Sequence, residues 1–219
     1  AFRDRVRGEW LAPWGVAELA ACGLDAVLEA TALNPVDQII NRTGELRPLT
    51  TPDGAPSLCF YHPAAQEALL AHATEQGVEV VRGARVRTIS ADGPRIVGYE
   101  AVGASHEVGG RLLVGADGRS SITRRALGGR QREHRSSRLL AGVRLGGLDC
   151  APNVGFYMIR EGADGIASLF PQGGGYARAY AFLQGADQRR YAGEAGFRRF
   201  LAMQIESGMP PEVFANATQ

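Results

Sequence analysis

Apolar positions recur along the chain with two different periods, and the change from one to the other predicts the architecture. Residues 10 to 23 set Val16, Leu19 and Ala20 at helical spacing, with Pro13 in the first turn and Gly23 as a stop, which predicts a short amphipathic helix that carries Trp10 and Trp14 as packing residues. Asp25 to Ala30 add a further turn or two of helix. The turn-rich segments RTGELRP and TPDGAP then point to a hairpin between Leu24 and Pro56. Pro63 to Gln76 is the clearest helical pattern, with Leu69, Leu70 and Ala73 on one face and Gly77 beyond its end.

After Gly77 the period becomes that of strands. Val78 to Val81, Arg85 to Ile89 and Ile96 to Val102 are short β-branched runs broken by Gly83 and by the turn Ala91 to Pro94, with a second turn expected around Ser105. Leu112 to Val114 reads as a buried strand leading into Asp117, and Ser120 or Ser121 caps a helix that ends at Leu127 and Gly128. Four later runs, Leu139 to Leu145, Val154 to Ile159, Ile166 to Phe170 and Tyr176 to Leu183, predict a four-stranded antiparallel sheet. A helix from Glu194 to Ser207 closes it with Phe197, Phe200, Leu201 and Ile205 on one stripe. The fold class is α+β, and the composition shift near residue 130 divides the chain into domains 1–130 and 131–219.

Composition narrows the chemistry. A chain of 219 residues with 45% hydrophobic content can bury a substantial core. With 24 basic against 23 acidic side chains the net charge is +1, so no global field draws it to nucleic acid or an anionic membrane. Every basic residue is arginine, which excludes lysine Schiff-base chemistry and a phosphate-loop lysine within these residues. Cys22, Cys59 and Cys150 are far apart and fit a reduced, cytoplasmic compartment, and the apolar runs are too short to span a membrane. His72, His106 and His134 show no metal-ligand spacing. Seven arginines fall within residues 119 to 138. Without interleaved aromatics they read as a solvated face, with the 2′-phosphate of NADPH as the next choice. Tyr157, Phe170 and Tyr180 lie on the sheet strands, where packing is favoured over pocket lining.

The strongest local signal is LLVGADGRSSITRR, Leu112 to Arg125. A strand that delivers Asp117 to a sheet edge, with Gly115 and Gly118 allowing a sharp turn into a helix, suits an aspartate that accepts from sugar hydroxyls while amides face phosphate. A purely structural Asp-Gly turn is the commoner alternative.

VGADGRSS followed by ITRRALG resembles the Asp-Gly motif of the flavin-dependent aromatic hydroxylases, the class A monooxygenases with the p-hydroxybenzoate hydroxylase fold. RVRGEWLAPWGVAELAACGL and YHPAAQEALLAHATEQGVEVVRGARV match the same family in order, and FPQGGGYARAY is similar to a segment of its substrate sheet. The resemblance implies an FAD-binding segment joined to an antiparallel substrate sheet. It places Arg7 in the loop that reaches the flavin, with Gly8 and Glu9 shaping its turn. Asp117 and Gly118 would contact the FAD ribose and pyrophosphate, with Arg119 nearby, and His62 stands where the family often has an arginine or glutamine facing the cofactor. The implied cycle has NAD(P)H reduce the flavin and a flavin hydroperoxide hydroxylate a small aromatic or other electron-rich substrate, with no catalytic acid or base nominated.

Two family elements have no counterpart here, the opening G-x-G-x-x-G turn and the Gly-Asp motif after the substrate domain. The expectation is therefore the middle portion of a longer protein, or a truncated product that grips FAD weakly. Flavin-dependent halogenases, prenyl-chain reductases and a non-catalytic binding remnant stand as alternatives.

Overall fold

The computed structural model describes residues 2, 5–29, 31, 34–90, 95–132, 138–159, 165–184, 191 and 193–219. The expected turn from Ala91 to Pro94, His134 and Arg135 lie outside them. The chain forms two compact units, one from residues 1–76 and 136–219, the other from residues 77–135.

The first unit begins with β1 (Trp10–Leu11), α1 (Pro13–Ala21) and α2 (Asp25–Glu29). Trp10 therefore lies on a strand ahead of the predicted helix, where it stacks on Phe170 with ring centroids 5.5 Å apart. Trp14 is on α1 but 70% exposed, so the expectation that it packs is overturned. Next come β2 (Asn34–Val36), β3 (Gln38–Ile40), β4 (Leu46–Pro48), β5 (Ser57–Cys59) and α3 (His62–Glu75). The expected hairpin is β3 with β4, and the Asn41 carboxamide closes its turn by accepting from the amides of Thr43 and Glu45.

The large sheet belongs to this unit. Its other strands are β9 (Arg138–Gly146), β10 (Val154–Met158), β11 (Gly165–Gly173) and β12 (Tyr176–Gln184), in the order β4-β3-β10-β11-β12-β9. The four predicted strands are contiguous and antiparallel, but the sheet has six. β3 joins parallel to β10 and brings β4 with it. Period-2 alternation gives the sheet two different faces. Leu145, Ala167, Leu169, Ala177, Ala179 and Ala181 line one face and pack with α5 (Gly193–Glu206), whose Phe200 is fully buried. Alanines on β12 let the helix approach, and Phe200 contributes about 1.5–3 kcal/mol by burial. Gly142, Arg144, Gln172, Tyr176, Arg178 and Tyr180 alternate with the core-facing positions and belong to the opposite face.

In the second unit β6 (Arg85–Ile89), β7 (Arg95–Ala101) and β8 (Ala104–Gly110) form an antiparallel meander. The turn around Ser105 is corrected: Ser105 is inside β8, and the chain reverses at Val102 and Gly103, whose φ values of 51° and 77° suit a two-residue hairpin turn. Val78 to Val81 and Leu112 to Val114 are not strands. Leu112 and Val114 are 77% and 75% exposed, and neither run has a ladder partner among the described residues, so its backbone groups cannot be satisfied as a sheet. The predicted helix is present as α4 (Ile122–Ala126), capped by Ser121 and ended at Leu127 and Gly128.

Candidate functional site

A buried polar network ties the Arg7–Glu9 loop to the sheet. Glu9 is 1% exposed, which is tolerable for a carboxylate only when its oxygens are filled. Arg178, 3% exposed, supplies a two-point contact, Nε to Oε2 at 2.5 Å and Nη2 to Oε1 at 3.3 Å. Gln172 Nε2 donates to Oε2 at 2.7 Å and also to the Phe60 carbonyl at 2.7 Å. The His62 amide donates to Oε1 at 2.8 Å. One carboxylate thus fixes the loop, the start of α3 and two sheet strands.

Tyr180 adds a second tie. Its hydroxyl accepts from the Glu9 amide at 3.1 Å and donates to the Arg7 carbonyl at 2.6 Å, so Gly8 is held between two anchored peptides. Burial, followed by the nearby Glu9 charge, pushes the phenol above its ordinary range and keeps it neutral, as a donor to Arg7. Gly8 itself is exposed, and beyond its two chain neighbours no atom of the described residues lies within 4 Å of where a Cβ would sit.

Asp117 is built differently. Its Oδ1 accepts from the Ser121 hydroxyl at 2.5 Å, and its Oδ2 accepts from the amides of Ile122 and Thr123 at 2.7 and 3.0 Å. The Ser121 hydrogen bond, then that from the Thr123 amide, holds the carboxyl well below the usual range. Gly118 turns at φ 74°, where a side chain would be strained, and a Cβ at Gly115 would fall 2.5 Å from Thr123 Cγ2. The glycines bracketing Asp117 are therefore demanded by the turn itself.

The structure brings Arg7, Gly8 and His62 together through Glu9 and Tyr180. Asp117, Gly118 and Arg119 form a separate cap at the start of α4 within the other unit. His62 contributes its main-chain amide to the network, at the start of α3. Gln172 and Arg178 were missed as functional residues, and Tyr180, read from the sequence as packing in preference to pocket lining, anchors the loop by its hydroxyl. Their signal was the alternation in QGGGYARAY, which puts polar side chains opposite an alanine core face.

A family-wide sequence model described as FAD binding domain matches residues 4–214. The chain belongs to this family. Among curated protein sequences nothing matches. Solved structures share the fold of this FAD binding domain. A flavoprotein/dehydrogenase from Cytophaga hutchinsonii superposes with TM-score 0.81 at 18% identity, over 98% of this chain and 55% of that one. Aklavinone-11 hydroxylase in a ternary complex with FAD and aklavinone gives 0.69 at 16% identity, over 100% and 46%. The flavin-dependent halogenase CmlS gives 0.73 at 15% identity, over 98% and 42%. The chain thus spans about half the length of these structures.

The FAD binding domain's residues fit parts of the cofactor. The exposed Gly8, uncovered by other described residues, presents a backbone face to which a flat ring has access. Gly118 is equally open, and beside it Arg119, Ser120, Arg124, Arg125, Gly129 and Gln131 line a cavity of about 590 Å³ whose guanidinium and hydroxyl donors suit phosphate oxygens. No helix among the described residues is long and apolar enough to cross a membrane.

Proposed function

We propose that this chain is part of an FAD-dependent monooxygenase that uses NAD(P)H and hydroxylates a small aromatic or other electron-rich molecule in the cytoplasm. The observation that carries the reading is the clamp on Gly8: one phenol accepts from one flanking peptide and donates to the other, while beyond the chain neighbours no atom of the described residues covers the glycine. FAD, when bound, supplies the redox and oxygen-transfer chemistry. Arg7 and Gly8 border the flavin ring. His62 begins the helix beside that loop. Gly118 and Arg119 meet the ribose and diphosphate. Asp117, whose oxygens already hold α4, keeps that turn in shape and accepts from a sugar hydroxyl through the remaining Oδ1 lone pair. The protein's work is to bind, orient and exclude water.

Halogenation is the second reading, favoured by the likeness to CmlS. The purified protein is expected to show flavin absorbance that denaturation releases as FAD, and to consume NAD(P)H and oxygen when an electron-rich aromatic is added. A protein that stays colourless with added FAD overturns the proposal, and a halide-dependent product selects the second reading.

A further inference from the structure

Arg144 lies on the same sheet face as this network but takes no part in the ion pair. Its guanidinium carbon is 3.9 Å from the ring centroid of Tyr176 and 4.4 Å from that of Tyr61, so an aromatic ring packs against it from each of two strands or loops. Its Nε donates to Gln172 Oε1 at 3.2 Å. Gln172 cannot turn over, because its amide nitrogen is committed to Glu9 and Phe60. The guanidinium is thus held by its faces and by one edge, and its two terminal nitrogens carry four donors with no carboxylate partner among the described residues.

Those donors belong to a built cleft. Arg144 pairs in register with Arg178 and is flanked on its own strand face by Gly142 and Gly146, which provide no side chains to cover it. Arg5, Val6, Arg144, Tyr176, Arg178 and the terminal residue Gln219 are among the residues that line about 400 Å³ of space. Glu9 neutralises Arg178, whereas Arg5 and Arg144 have no carboxylate side-chain partner among the described residues. A guanidinium fixed in this way loses little freedom when it binds, and its fork matches the paired oxygens of a carboxylate or a phosphate. Tyr176, 47% exposed, offers an aromatic surface beside it.

We propose that this cleft is an anion-binding site, with Arg144 as the receptor for a carboxylate or phosphate group and Arg5 as a supporting charge.

Calorimetric titration of the 219-residue chain with benzoate, benzamide and inorganic phosphate tests it. Saturable binding of benzoate or phosphate, weakening as salt rises and absent for benzamide, is expected. Whichever anion binds identifies the source as carboxylate or phosphate. Arg144→Gln is expected to weaken binding about tenfold or more, the worth of a charge-assisted hydrogen bond. Arg5→Gln, on an exposed side chain, gives a smaller loss and reads the same charge without touching the stack, should the first variant misfold. Equal binding of benzamide, no binding of either anion, or unchanged affinity in a folded Arg144→Gln protein overturns the proposal.

Discussion

Glu9 and Arg178, 169 positions apart in sequence, form a buried ion pair with Nε 2.5 Å from Oε2. Removing one member leaves the other charged in a dry site, so Arg178→Met is expected to destabilise the first unit by about 3–5 kcal/mol. Glu9→Gln/Arg178→Met, which leaves no buried charge, is expected to cost less than Arg178→Met alone. Urea denaturation of the single and double variants measures this. Equal loss in both would show that the pairing of charges is not what matters.

Tyr180→Phe removes the acceptor for the Glu9 amide and the donor for the Arg7 carbonyl, at an expected cost of about 1–3 kcal/mol. The phenol's ionisation is raised in the folded state from its ordinary value of about 10. Its contribution to stability is therefore complete below that value and lost as pH rises through it, because the unfolded tyrosine ionises first. Wild-type stability is expected to fall between about pH 9 and about pH 11 more steeply than that of Tyr180→Phe. Parallel slopes would remove Tyr180 from the account.

Asp117 carries the opposite sign. Its carboxyl is lowered from an ordinary 3.8 by the Ser121 hydroxyl and the amides of α4, so the stability it lends is present above that value and lost as pH falls through the folded one. Hydrogen exchange at the amides of Ile122 and Thr123 is expected to stay slow on acidification past the normal aspartate range and to rise in Asp117→Ala at every pH. Ser121→Ala, which loses the cap to the Arg124 amide, is expected to cost about 1 kcal/mol.

Long periodic elements were legible in the sequence. The helix at residues 62–75, the four late strands and the stripe on α5 all follow from spacing alone. Leu112 to Val114 misled because apolarity signals a strand only where a neighbouring strand supplies hydrogen bonds, and none does among the described residues. β3 was legible as half of a hairpin. Its parallel seat on β10 was not, since pairing across 116 positions leaves no local trace. The same holds for the candidate site: Gly8 and Asp117 were nominated by motif, whereas the ties that Arg178 and Tyr180 make to the Gly8 loop became visible only when the fold brought distant strands to it.

In the proposed function the flavin ring lies over Gly8, and Gly8→Leu tests this most directly. Beyond the chain neighbours no atom of the described residues lies within 4 Å of the added Cβ, so the fold is expected to survive with a change in stability within about 0.5 kcal/mol, as for other surface substitutions. Titration of FAD into the wild-type chain is expected to give a saturable change in flavin fluorescence, and the same titration of the folded Gly8→Leu protein a much weaker one. Equal FAD affinity in the two proteins, or no saturable change with wild type, would contradict the account.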